Sequence, residues 1–160
     1  MGIKEEGLKK ATGSRGKVAE KKVREYLDKV GAAHSDFDFE RRYDARTAGG
    51  KFPAQPGDFG YFRLLEMGSV NGLIEAKEIA HDHLLPQKNF TKDKIARLRK
   101  RYLAGTEVIV LVFHTGLKKW RAPNIAIFFD KPAAPSWNIS GYRLYDTVAD
   151  ALKGTQSLAL

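Results

Sequence analysis

Two short stretches in the middle of the chain set carboxylates in or beside apolar, β-prone residues. They are Gln55-Pro56-Gly57-Asp58-Phe59 and Leu73-Ile74-Glu75-Ala76-Lys77-Glu78. Residues two apart in a strand point to the same face, so Glu75 and Lys77 project together, while Ile74 and Ala76 face the other way. If the strand that holds Asp58 pairs with this one in a suitable register, its carboxylate lies close to Glu75.

Such a group of side chains has a definite chemistry. Two neighbouring carboxylates repel each other and favour a cation between them, and oxygen ligands of this kind suit Mg²⁺ or Mn²⁺. An adjacent ammonium orients or activates a water molecule, or stabilises an anionic phosphate. Together these groups are suited to phosphodiester hydrolysis. A surface hairpin with a salt bridge is the alternative for the same residues.

The overall charge favours a polyanionic partner. The chain has 160 residues, with 28 Lys and Arg against 19 acids and a net charge of +9. An excess this large on a small domain is typical of nucleic-acid binding, although some basic proteins use it only for solubility. The absence of cysteine excludes a disulfide framework and fits a reducing cytosol. Without a signal region or an apolar run of ~20 residues, the sequence predicts an intracellular, cytoplasmic protein with no membrane partner.

Helical spacing predicts a first helix over residues 15–30. Its apolar stripe consists of Ala19, Val23, Tyr26, Leu27 and Val30. Ser14 is a suitable N-cap, and Gly31 is expected to end the helix. Glu20 lies at the border of the core, about 100° around the helix from its neighbour, where its carboxylate could reach a site or remain solvated. Ser14, Arg15 and the free amides of the first turn could also hold a phosphate.

Three strands are predicted next. They span residues 37–43, 58–65 and 73–79. The turn between the last two covers residues 66–72, with Asn71-Gly72 as its turn dipeptide. Asp58 and Glu75 therefore fall on paired antiparallel strands.

A second helix, over residues 92–104, is strongly basic. Its predicted N-cap is Thr91, and Gly105 ends it. Its core stripe is Ile95, Leu98 and Tyr102 or Leu103. The other faces carry Lys92, Lys94, Arg97, Arg99, Lys100 and Arg101, against Asp93. These are more cations than solubility requires, which favours a phosphate-contacting helix over a merely solvated face.

The rest of the chain predicts further strands and a short last helix. The apolar, β-branched run 107–113 is typical of a central strand covered on both faces. Residues 125–129 form one more strand, and Asp146 caps a helix that Gly154 ends. In domain terms, the expected divisions are a loose basic arm at 1–12, a single domain at 13–154 and a loose tail at 155–160. The arm could instead be a short helix on a dimer partner.

Some loop segments leave alternatives open. Residues 44–56, with paired glycines and two prolines, form either a mobile loop over a substrate or an ordinary connection. His81 and His83 have the residue type of metal ligands, but loop histidines without a third partner are more typical of ordinary polar residues. Residues 118–121 form either a basic turn that touches nucleic acid through Trp120 or a hairpin in which Trp120 packs on the sheet.

The order of elements, with acids on the middle hairpin, resembles that of the restriction-endonuclease-like, PD-(D/E)xK nucleases. Their signature is an acid and, after a gap, Glu-x-Lys; here Gly57 separates Pro56 from the acid. The match with Holliday junction resolvases is closer. Glu75-Ala76-Lys77-Glu78 and Leu85-Pro86-Gln87-Lys88-Asn89-Phe90, then a helix, resemble RecU-type proteins, which run Glu-Ala-Lys-Glu-Thr and Phe-Pro-Leu-Lys-Asn-Phe. Arg15-Gly16 followed by Glu20 is similar to the start of RecU-type and archaeal-type resolvases.

The resemblance covers roughly residues 13–114 and implies a fold, an activity and a site. The fold is α/β and restriction-endonuclease-like, with a central mixed sheet flanked by helices. The activity is Mg²⁺- or Mn²⁺-dependent endonucleolytic cutting of branched DNA, chiefly four-way junctions, by a homodimer, plausibly phage-encoded. The catalytic residues are Glu20, Asp58, Glu75 and Lys77. The metal ligands are Asp58, Glu75 and the Ala76 backbone carbonyl, with Glu20 as a further candidate.

The DNA contacts are expected on basic and polar residues around this site. They are Ser14, Arg15, Arg46, Lys51, Lys88, Asn89, Lys92, Arg97 and Arg99. Asp93 and Lys94 stand where RecU-type proteins tend to have His-Gln, and no catalytic role is expected for them. Ile79 replaces the threonine of those proteins. Two other functions fit the sequence: a nuclease of the same fold with a restriction or repair substrate, and a non-catalytic, architectural DNA-binding protein.

Overall fold

The computed structural model describes residues 17–42, 57–80 and 83–155. Several predictions lie outside these residues. They concern the arm at 1–12, the cap and phosphate contacts of Ser14 and Arg15, the loop with Arg46 and Lys51, His81, and the tail after 155.

The described residues form four α-helices and seven strands. The helices are α1 (Lys17–Ala33), α2 (Lys92–Leu103), α3 (Ala126–Asp130) and α4 (Val148–Gly154). The strands are β1 (Phe37–Arg41), β2 (Phe59–Leu65), β3 (Gly68–Ile79), β4 (Leu84–Pro86), β5 (Glu107–His114), β6 (Lys119–Arg121) and β7 (Ser136–Asn138). A 3₁₀ turn at Gln87–Asn89 leads from β4 towards α2.

The central sheet is mixed. Its strands lie in the order β1-β2-β3-β5-β6. The first three strands pair antiparallel, β3 and β5 pair parallel, and β6 returns antiparallel beside β5. Strands β4 and β7 form a separate antiparallel pair. This confirms the expected α/β class with a mixed central sheet flanked by helices.

Each face of the sheet has its own apolar core, because β3 and β5 alternate side chains between the faces. One core joins α1 and α4 to the sheet, and its members include Ala19, Val23, Leu27, Ile74 and Ala76. The other joins α2, α3 and the β4–β7 pair to the opposite face, through residues such as Ile95, Leu98, Phe90, Phe128 and Trp137. The predicted stripes of the first two helices and the doubly covered central strand are confirmed, except that Tyr102 and Leu103 are largely exposed.

The turn between β2 and β3 is shorter than predicted. Only Glu66 and Met67 separate the strands, and Asn71 and Gly72 lie inside β3, paired with β2. Gly72 is required by packing, since a Cβ at this position would lie 2.1 Å from the Tyr61 ring. The turn prediction was therefore wrong, because the glycine serves a tertiary contact.

Three other elements differ from the predictions, one in its type and two at their ends. Residues 126–130 are helical instead of forming a strand, and the Asn124 side chain accepts a hydrogen bond from the Ala126 amide, 2.9 Å away. Helix α1 continues past Gly31 to Ala33, since nothing near Gly31 forces the backbone to turn. The cap of α4 is Thr147, which accepts from the Asp150 amide, and not Asp146.

Trp120 resolves the open alternative at residues 118–121 in favour of a hairpin. It lies in β6, is buried, and packs 4.8 Å from Phe113 between ring centroids. His83 contacts Arg121, with 2.9 Å between Nδ1 and Nη1. In the described part of the chain, no helix is long and apolar enough to cross a membrane.

Candidate active site

The carboxylate of Asp58 is fixed by the β1–β2–β3 hairpins. Its backbone joins both neighbours of β2, donating from its amide to the Ile74 carbonyl and accepting from the Arg42 amide, each at 2.8 Å. Its side chain reaches across to β3, where Oδ2 accepts the Ala76 amide at 2.7 Å. Asp58 is therefore held beside the strand that carries Glu75, as the sequence predicted.

Glu75 is the centre of the group. It lies in the middle of β3 and is fully buried, with no exposed surface. Its Oε1 forms an ion pair with Lys77 Nζ at 2.6 Å, on the same face of the strand. No donor in the described ranges forms a hydrogen bond to Glu75 Oε2. A fully buried carboxylate oxygen without a donor is costly, so a further electropositive group at this oxygen would be stabilising.

A second lysine, Lys94, enters from the first turn of α2. Its Nζ lies 2.5 Å from Glu75 Oε1 and 3.8 Å from Asp58 Oδ1, between the two carboxylates. The sequence predicted Lys94 only as one of the phosphate-contacting cations of the helix, with no catalytic role. Its position beside Ile95 and one turn before Leu98, on the buried stripe of the helix, is the signal that could have identified it.

Phe90 orients the other lysine. The Lys77 ammonium lies 5.2 Å from the centroid of the Phe90 ring, within the range of a cation–π contact. The ring is fully buried and packs edge-on against Phe128 and Trp137, at centroid distances of 4.9 Å and 6.1 Å. This gives the last residue of the Leu85–Phe90 motif a physical role, since a rigid ring beneath Lys77 restricts where its ammonium can point.

Burial and charge set the protonation of the group. Burial, together with the Glu75 charge, raises the pKa of Asp58 to about 7, against the opposing effect of Lys94, Lys77 and the Ala76 amide. Burial lowers the pKa of Lys94, but attraction to Glu75 and Asp58 outweighs it and the net shift is upward. The Lys94 ammonium thus remains charged near neutral pH, while Asp58 exchanges its proton in that range.

Glu20 contacts a different partner. Its Oε2 accepts from Arg41 Nη2 at 3.1 Å. On the same side of the sheet, Glu78 Oε1 accepts the Ala19 amide at 3.0 Å, near the start of α1. Burial raises the pKa of Glu78 and the Glu20 charge adds to that rise, against the Ala19 hydrogen bond. Glu20 is therefore paired with Arg41 in this structure, and its part in a metal site stays a prediction.

Five predicted DNA contacts lie within the described ranges, and all are exposed. They are Lys88, Asn89, Lys92, Arg97 and Arg99, on the 3₁₀ turn and α2. This segment also supplies Phe90 and Lys94 to the group around Glu75. The exposed cations therefore lie on the same segment as two residues that contact the group, Phe90 against Lys77 and Lys94 against Glu75.

The carboxylate oxygens of Asp58 and Glu75 are ligands that suit a hard divalent cation. Among the described residues there is no group of three or more His, Cys, Asp or Glu that could hold a metal ion. Mg²⁺ typically takes only one or two protein carboxylates, and completes its shell with water and substrate phosphate. Asp58 and Glu75 supply two such carboxylates. They already hold the Lys94 ammonium between them, and Glu75 Oε2 has no hydrogen-bond donor among the described residues.

Comparisons of the chain with protein-family models, with curated proteins and with solved structures give no match. The assignment of a function therefore depends on the residues and geometry of this chain.

Proposed function

We propose that this protein is a divalent-cation-dependent endodeoxyribonuclease that acts on branched DNA, chiefly four-way junctions. The observation that carries the proposal is the buried group of Asp58, Glu75, Lys77 and Lys94, next to exposed cations. A salt bridge of a surface hairpin, the alternative for these residues, would not bury Glu75 completely or draw two ammoniums to one of its oxygens. Such an arrangement is costly to build and is typical of functional sites.

The order of elements supports a restriction-endonuclease-like fold as part of the proposal. A helix, three antiparallel strands, a basic helix and a parallel strand follow in the order that the resemblance implies. Glu75 lies on β3 and Asp58 immediately precedes β2, an arrangement compatible with the signature of those nucleases. The RecU-like motif at 85–90 adds the ring beneath Lys77.

The chain's own side chains would divide the work of hydrolysis. Asp58 and Glu75 would hold Mg²⁺ or Mn²⁺, with the Ala76 carbonyl as a further ligand. When bound, that cation supplies Lewis-acid stabilisation of the phosphate and acidifies a water molecule. Lys77, restrained by Phe90, orients the attacking water and stabilises the negative charge that grows on the phosphate.

The substrate and assembly follow from the resemblance and the charge. A four-way junction requires two symmetric nicks, and a homodimer with two-fold symmetry would supply two sites. The net charge of +9 and the cations of α2 favour contacts with the DNA backbone. A bacterial cytoplasm, with a phage gene as the source, is the setting in which such a resolvase would act.

The experiment that tests the proposal uses two DNAs of equal sequence content. The purified protein is incubated with a labelled immobile four-way junction or with a plain duplex, in Mg²⁺ or in EDTA. Paired nicks in the junction alone, and only with Mg²⁺, are the expected result. Equal cutting of both DNAs would replace the junction by a general substrate, and tight binding without any cutting would favour an architectural protein.

The cations of α2 should make DNA binding depend on salt. Arg97→Ala and Arg99→Ala should each lower the slope of log affinity against log salt by about one, because each removes about one released counterion. Junction affinity is measured by fluorescence anisotropy over a series of salt concentrations. Lys29→Ala is the matched control, since this exposed lysine lies on α1, across the sheet from α2. Slopes as steep as the wild type's in both arginine variants would remove α2 from the interface.

A further inference from the structure

The ammonium of Lys94 lies between the two carboxylates that would hold the metal ion of the proposed function. It is 2.5 Å from Glu75 Oε1 and 3.8 Å from Asp58 Oδ1. Lys77 is 2.6 Å from the same Glu75 oxygen. When Asp58 is ionised, two carboxylates and two ammoniums leave the group without net charge, so a divalent cation added to all four would meet two like charges at close range.

We propose that Lys94 is an internal counter-cation of the carboxylate pair, which a divalent metal ion must displace, and which then binds DNA phosphate. The inference rests on the proposed function for its last step only. Its first step concerns the protein without DNA and is independent of catalysis.

The two lysines differ in how firmly they are held. The Lys77 side chain is 13 % exposed and lies over the Phe90 ring. The Lys94 side chain is 29 % exposed and extends from the first turn of α2. A long side chain that reaches solvent can leave the pair by rotating about its own bonds, without any change in the sheet or the helix. Lys94 is therefore the ammonium that a metal ion would displace from Glu75.

Displacement of Lys94 by a metal ion would couple metal binding to DNA binding. Once the metal ion neutralises the two carboxylates, the freed ammonium would lie on the same helix as the exposed cations Lys92, Arg97 and Arg99. A DNA phosphate there would retain Lys94 away from Glu75. Metal and DNA would then each favour the binding of the other, because both stabilise the same position of one side chain.

The test measures metal binding without DNA. Mn²⁺ is titrated into the wild type, Lys94→Met and Lys92→Met, and free Mn²⁺ is followed by electron paramagnetic resonance. The titration is run well above neutral pH, so that protonation of Asp58 does not differ between variants. Lys94→Met should bind Mn²⁺ at least about tenfold more tightly than the wild type, because the competing cation is gone. Lys92→Met, which removes the same charge from the exposed surface of the same turn, should bind as the wild type does.

The outcomes separate this inference from the proposed function. Equal Mn²⁺ affinity in all three proteins, or no binding by any of them, overturns the counter-cation. Tighter binding by Lys94→Met, in a protein whose wild type cuts no DNA, supports the counter-cation and rejects the nuclease. If the wild type does cut junctions, Lys94→Met should cut them more slowly at saturating Mn²⁺, whereas Lys29→Met, at an exposed position on α1, should not. Lys94→Gln, which keeps a polar tip, replaces Lys94→Met if circular dichroism shows that the latter does not fold.

Discussion

Replacement of Asp58 by asparagine should reduce junction cleavage by at least about 10³-fold and leave junction binding near the wild-type level. The substitution removes one of the two carboxylates that would hold the divalent cation. It leaves the exposed cations of α2 in place. Single-turnover nicking and anisotropy of the same labelled junction measure the two effects separately.

The variant should fold, because asparagine preserves the geometry of the site. Its side-chain oxygen can still accept the Ala76 amide, which lies 2.7 Å from Asp58 Oδ2. The pKa of Asp58 is raised to about 7 from 3.8, so the buried carboxyl favours its protonated form. The wild type therefore loses stability as pH rises from about 4 through about 7, and Asp58→Asn avoids that loss. At neutral pH the variant should be at least as stable as the wild type.

The control for Asp58→Asn is Asp28→Asn, the same substitution at an exposed position on α1. It makes the same change of side chain away from the site and should cut junctions at the wild-type rate. Full nicking activity in Asp58→Asn would contradict the assignment of this carboxylate as a metal ligand. Lost junction binding would mean that Asp58 supports the DNA surface instead.

Gly72→Ala should destabilise the protein by about 3 kcal/mol, through overpacking at the β2–β3 pair. The added Cβ would lie 2.1 Å from the Tyr61 ring and 2.2 Å from its hydroxyl oxygen. Tyr61 cannot easily move, because it is fully buried and donates its hydroxyl hydrogen bond to the Glu107 carboxylate. Urea unfolding followed by tryptophan fluorescence gives the free energy of unfolding.

A second glycine provides the comparison for Gly72→Ala. Gly31 lies in α1, and no neighbouring heavy atom lies within 4 Å of the position that a Cβ would take there. Gly31→Ala should therefore stabilise the protein by about 0.5–1 kcal/mol, since alanine loses less backbone entropy in a helix. An unfolding midpoint for Gly72→Ala equal to that of the wild type would contradict the close approach of Tyr61.

Periodicity was the most informative feature of the sequence. The spacing of Ala19, Val23 and Leu27 predicted the buried face of α1, and Thr91 predicted the start of α2. The two-residue period of β3 placed Glu75 and Lys77 on one face, because side-chain direction in a strand is fixed by the backbone alone. The doubly covered β5 could be predicted from its unbroken apolar run, because consecutive residues point to opposite faces and both faces are then apolar.

Predictions failed where a local signal competed with a tertiary contact. Asn71-Gly72 has the composition of a turn, yet it lies in β3, because Tyr61 of the neighbouring strand needs a residue without a side chain there. Residues 125–129 have the composition of a strand, yet α3 begins at Ala126. Phe128 of that helix packs against Phe90 and Trp137, which are distant in sequence.

Some contacts of the candidate site also follow from local rules, and others depend on the tertiary fold. The meeting of Asp58, Glu75 and Lys77 could be predicted from the chain, since strand periodicity and hairpin pairing are local rules. The contacts of Lys94 with the two carboxylates and of Phe90 with Lys77 are visible only in the folded protein. The packing of α2 on the sheet brings the helix and β3 together across a long stretch of chain. Its position depends on the whole apolar core between them, which no short pattern encodes.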